Sequence, residues 1–188
     1  MMRTTKKNKG QIWIETVLYT LIGLVLIGVT LAIVMPKINA ARDRILVEQT
    51  ASSMGVIDEK ISEILDKGPG NIRVISEFSI KEGRLIIYPA NDTLTFVLSG
   101  LSRPYSEPGF PVKIGKNTVL TERVQSDILV YITLDYRNIT NITYAGIDSQ
   151  EKIFSATSLP YIFSIENLGG AQGELPSVDI TENIRGAG

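Results

Sequence analysis

Residues 16–35 carry no charged side chain. That run is long enough to cross the hydrocarbon of a bilayer as one helix, which takes about 20 apolar residues. It constrains the fold before any other feature does. Backbone in lipid must satisfy its own hydrogen bonds, and a lone segment of this length does so only as a helix. Glu15 stands just before the run, where a carboxylate is costly unless something pairs with it. Arg3, Lys6, Lys7 and Lys9 lead in with no acidic residue, which predicts a cytoplasmic N-terminus and an outward C-terminal part. Lys37, Arg42 and Arg44 follow, offset in part by Asp43. A cleavable secretory signal would have a shorter apolar core, about 7–15 residues, ending in small residues at the cut. Residues 36–41 lack that pattern, so the segment is expected to survive in the mature chain. Within it Gly23, Gly28 and Ala32 are the places where another helix could come close, Gly28 and Ala32 forming a small-residue pair four apart.

The helix need not stop at Pro36, because proline bends a helix without ending it when the flanking pattern continues. Val47, Thr50, Met54, Ile57, Ile61 and Ile64 recur at three- and four-residue spacing, one apolar stripe of an amphipathic helix. Asp58, Glu59, Lys60, Glu63 and Asp66 lie between them and are expected to form a solvated face, with the stripe packed on the chain's own β domain. Gly68, Pro69 and Gly70 end the helix.

After Gly70 the period becomes two. Ile72, Val74, Phe78 and Ile80 are expected on one face of a strand, and residues 85–88 follow a turn at Glu82 and Gly83. Leu94, Phe96 and Leu98 alternate with Thr93, Thr95 and Val97 after Asn91 and Asp92. Residues 128–134 have the β-branched apolar composition of a central strand, residues 159–165 repeat it, and residues 103–115 read as a proline-rich loop. The fold class is therefore α+β: a long N-terminal transmembrane and amphipathic helix, then a β-rich globular head built as an antiparallel sheet or sandwich. The boundaries are a basic leader over 1–10, a helix over 11–67 that spans the membrane to about 36, and an extracytoplasmic β domain over 71–188.

The chain has no Cys and no His, which removes disulfides, thiolate and imidazole nucleophiles and bases, and the commonest transition-metal ligands. No acid pair at catalytic spacing is visible, so no enzymatic role, cofactor or metal is expected. A formal charge of −1 with mixed signs gives no indication of nucleic acid binding. Three N-x-Thr sequons begin at Asn91, Asn138 and Asn141, candidate N-glycosylation sites on the side expected to face out. Asn91 falls at an expected hairpin tip, and Asn138 and Asn141 are close enough to obstruct each other.

A short basic leader, the Gly10–Gln11 junction, a carboxylate five residues past Gly10 and a spanning apolar helix occur together at this N-terminus. This combination resembles the type IV prepilin signal, most closely the archaeal class III form, in which Gln opens the mature chain. The resemblance covers the leader and helix, and heads vary widely in that family. It implies cleavage between Gly10 and Gln11 by a membrane prepilin peptidase. It also implies that Glu15 sets register against the N-terminal amine of a neighbouring subunit, and that the helix polymerises with copies of itself or related pilins on a pilus assembly platform. The family pattern has a small hydroxyl residue at the third mature position and Leu at the ninth, where this chain has Trp13 and Tyr19. The implied product is a cell-surface filament or pseudopilus. The alternative is a single-pass signal-anchored surface protein whose β domain binds a ligand or partner.

Overall fold

A computed structural model describes the backbone of residues 9–183 and the side chains of residues 13–183. Most of the leader, including Arg3, Lys6 and Lys7, and the last five residues lie outside the described residues, as do the side chains of Lys9 and Gln11. The chain divides into two compact units, one ending at Ala41 and the other beginning at Arg42.

Helix α1 is Lys9–Lys67 and contains Pro36. In the first unit it is the only element among the described residues, and its apolar side chains from Trp13 to Met35 are exposed. It could span a membrane by length and composition. Two of its threonines bond back to the preceding turn: Thr20 Oγ1 donates to the Thr16 carbonyl and Thr30 Oγ1 to the Leu26 carbonyl, both at 2.8 Å.

Among its described residues the second unit contains the rest of α1 and ten strands: β1 Ile72–Phe78, β2 Arg84–Tyr88, β3 Thr93–Leu98, β4 Val112–Ile114, β5 Asn117–Val124, β6 Asp127–Asp135, β7 Asn141–Tyr144, β8 Lys152–Ser155, β9 Tyr161–Gly169 and β10 Ser177–Glu182. One sheet has the order β4-β5-β6-β3-β2-β8, antiparallel throughout. The other has the order β1-β9-β10-β7, antiparallel except that β10 and β7 run parallel. The apolar stripe of α1 enters a core shared with both sheets, as its spacing predicts: Val47, Met54, Ile57, Ile61 and Ile64 are fully buried, with Thr50 nearly so. Phe154 of β8 meets Phe163 of β9 edge-on at 4.9 Å, an aromatic contact that joins the two sheets, and Phe78 of β1 packs on Phe163 at 5.5 Å within the four-stranded sheet.

The end of α1 is closed by two asparagines. Gly68 takes a left-handed conformation (φ 87°) and its N–H donates to the Ile64 carbonyl at 3.1 Å. Asn71 Nδ2 donates to the Lys67 and Gly68 carbonyls, and the buried Asn167 Nδ2 of β9 donates to Ile64 at 3.0 Å. Carbonyls that a helix end leaves without partners are thereby bonded, that of Ile64 by the four-stranded sheet and those of Lys67 and Gly68 by the residue just before β1.

Several expectations are corrected. Ile72 and Val74 are exposed, and the inward residues of β1 are Ile75 and Phe78, because an irregularity in pairing with β9 between them shifts the phase. Leu159 is exposed and precedes its strand, while β9 runs on to Gly169. The proline-rich loop closes in a short edge strand, β4, paired with β5. Asp58 does not belong to the solvated face: it is buried.

Candidate functional site

Glu15 lies on an exposed face of α1, with no ion pair or hydrogen bond among the described residues. Residues four apart share a helix face, so Tyr19 stands one turn above it, its side chain also exposed. Trp13 lies just before Glu15 and is exposed, as suits an aromatic at a membrane–water boundary. Gly10 and Gln11 are helical in backbone. Gly23 and Gly28 have nothing within 4 Å of where a Cβ would stand, so both leave open surface on the helix.

In the second unit the buried carboxylate joins three elements. Asp58 Oδ1 accepts from the Tyr136 hydroxyl at 3.1 Å, and Asp58 Oδ2 pairs with Lys116 Nζ at 2.9 Å. Lys116, in the β4–β5 turn, also donates to Ser62 Oγ at 3.1 Å. Burial, and then the Asp58 carboxylate, push the Tyr136 hydroxyl far above the ordinary tyrosine range, so it remains a donor. Asn117 Nδ2 donates to the Ala51 carbonyl at 2.9 Å, a second polar tie from β5 to the helix. Glu63 accepts from Lys60 at 2.8 Å and Arg73 at 2.7 Å, and those two hydrogen bonds hold its carboxyl below the usual range. Nearer the start of the unit, Arg42 bonds Glu82 at 2.6 Å, and Asp43 accepts from both the N–H and the hydroxyl of Ser102. These are fastenings between helix and sheets, and the sequence pattern announced none of them.

The three sequons lie near one another in different environments. Asn91 is exposed at the end of a short 3-10 turn, Pro89–Asn91, which joins β2 to β3 as the sequence suggests. Asn138 is exposed with φ 66° between β6 and β7. Asn141 is half-buried in β7, with Nδ2 3.3 Å from Ser177 Oγ. Asn91 and Asn138 share the lining of one groove of about 670 Å³ with Asp92, Asp135, Arg137 and Leu175. Comparison with family models, curated proteins and solved structures returned no match.

Proposed function

We propose that the chain is a structural subunit of an archaeal type IV pilus-like surface filament or pseudopilus. It is made as a membrane-inserted precursor with its N-terminus in the cytoplasm and its head outside. A prepilin peptidase cleaves it at Gly10–Gln11, and it polymerises through its N-terminal helix on an assembly platform. The observation that carries this reading is Glu15: a carboxylate with no partner among the described residues, on a helix otherwise apolar and exposed from Trp13 to Met35. A permanent anchor gains nothing from such a residue, whereas a helix that later packs among its own copies can use it as a register mark. Buried charge pairs are better attested for fixing register than for adding stability. The head supports the reading in a second way, since its core includes half of α1, so that the domain is built on the helix.

Cleavage would remove Arg3, Lys6, Lys7 and Lys9, the charges that hold the helix end at the cytoplasmic surface. The amine of Gln11 would then be available to a neighbouring Glu15. An N-terminal Gln also cyclises to a neutral lactam with loss of ammonia. In that case the carboxylate would need another donor, a hydroxyl or amide of a neighbour; Tyr19, one turn along each helix, carries such a hydroxyl. The test is the N-terminus of mature protein taken from its own membranes, read by intact mass and N-terminal peptides. A chain that begins at Gln11, open or cyclised, is the expected result. A chain that keeps residues 1–10 beside an active prepilin peptidase refutes the proposal.

A further inference from the structure

We infer that the folded head is N-glycosylated at Asn91, and that Asn138 and Asn141 are not acceptors once the domain has folded. The inference rests on the proposed outward position of the head. In the transfer reaction the Asn amide nitrogen attacks the anomeric carbon of a sugar carried on a polyisoprenyl phosphate or diphosphate. The new N–C bond forms as the C–O bond to phosphate breaks; the phosphate leaves with the electron pair and the amide loses one proton. The sequon hydroxyl two residues on has to be free for the enzyme to grip, because the enzyme selects N-x-Ser/Thr and not Asn alone.

That requirement separates the three sites. Thr140 is fully buried and its hydroxyl donates to the Pro176 carbonyl at 2.6 Å, so the Asn138 sequon has no hydroxyl to offer. Thr143 is buried and donates to Asp179 Oδ1 at 2.6 Å, and Asn141 itself bonds Ser177. Thr93 differs. It is half-exposed at the start of β3, on the face opposite the buried Leu94 and Phe96, and its hydroxyl has no hydrogen bond among the described residues. Asn91 precedes it on an exposed turn, and its amide is likewise unbonded among the described residues.

The groove beside Asn91 also suits a carbohydrate. Leu175 and Ala90 offer apolar surface to the C–H face of a sugar ring, and Arg137 and Asp92 offer polar groups to its hydroxyls. Asp92 Oδ1 accepts from the Ile142 N–H at 2.8 Å, which fixes the side chain. Its Oδ2 has no hydrogen bond among the described residues.

The test uses the full chain in detergent micelles, a purified oligosaccharyltransferase and a lipid-linked oligosaccharide, with glycopeptides read by mass spectrometry. Folded protein should be modified at Asn91 alone, and urea-unfolded protein at Asn91 and also at Asn138 or Asn141. Thr93→Ala should abolish the modification of folded protein and Thr93→Ser should keep it. A bare Asn91 in folded protein, or modification of Asn138 or Asn141 equal to that of Asn91, overturns the assignment. The outward head is checked separately. Because the chain has no Cys, Glu107→Cys gives one reporter for a membrane-impermeant maleimide on intact cells. A protected reporter counts against the filament reading, while the micelle result alone decides the Asn91 assignment.

Discussion

Tyr136→Phe removes one hydroxyl from the core and should reveal how much of the head's stability depends on a carboxylate contributed by the helix. Tyr136 is buried, and its hydroxyl supplies one of the two bonds to Asp58. A hydrogen bond to a charged group contributes about 1.5–3 kcal/mol, and more is lost when the partner cannot find water. The Asp58 side chain is 13% exposed and keeps Lys116, so the loss should fall near the lower end, about 1.5 kcal/mol. Lys116→Met should cost less, about 0.2–1 kcal/mol, because the Lys116 side chain is 67% exposed and water screens its charge. The pH dependence gives a second readout. The folded Tyr136 pKa is raised above its unfolded value of about 10, so its contribution is fully present below pH about 10 and is lost as pH rises beyond it. Tyr136→Phe should flatten that alkaline loss while leaving the share of Tyr88, which burial also raises. The measurement is urea unfolding of the full chain in micelles by tyrosine near-ultraviolet circular dichroism, since the single Trp, Trp13, lies on the apolar helix and does not report on the head. The reasoning fails if Tyr136→Phe is within about 0.5 kcal/mol of the parent, the range of a neutral surface change. It also fails if Lys116→Met proves the costlier of the two.

Two further outcomes are expected. Glu15→Val should leave membrane insertion and the circular dichroism of the head unchanged while abolishing filaments in electron micrographs; normal filaments would remove the register role. Gly83→Ala should cost more than Gly146→Ala in the same unfolding assay. Both glycines have positive φ, so each change carries about 1–3 kcal/mol of backbone strain. Only at Gly83 would the new Cβ lie 2.4 Å from the Val97 carbonyl oxygen. Equal costs would show that the β2–β3 hairpin yields at that point.

What the sequence revealed, and what it hid, follows from which signals are local. The stripe on α1 and the alternation in β3 are set by burial of one face, and burial of one face writes a period into the chain. In β5 that period is masked because Asn117 and Thr121 point inward as polar residues among apolar ones. In β9 the apolar pattern stops short of the strand's end because Asn167, an inward position, is used to cap the helix. The phase of β1 departs from its alternation because a pairing irregularity inserts residues that no periodicity anticipates. The sites show the same division. Glu15 is legible because an isolated carboxylate beside a spanning run is anomalous wherever it occurs. Asp58 looks like its acidic neighbours, since the group that makes it a core residue, Tyr136, is far along the chain. The sequons are visible as tripeptides, yet their difference depends on Pro176 and Asp179, which only the parallel pairing of β7 with β10 brings near.

On the proposed reading, the position of Glu15 explains how one residue serves both precursor and filament. A carboxylate at the centre of a span costs about 2.5–3.5 kcal/mol to insert, and the cost falls toward the interface as the side chain reaches water. Glu15 stands at the edge of the run, two residues past Trp13, so the precursor inserts at little cost. Among other helices that route to water is closed. The carboxylate must then find a donor, and only registers that bring one to it are permitted. Removing a partner from a buried ion pair is strongly destabilising, whereas replacing the whole pair by apolar groups often is not. Glu15→Val should therefore abolish the choice among registers more than the attraction between helices. The variant is expected to associate in the membrane without order, as cross-linked oligomers that do not extend into filaments.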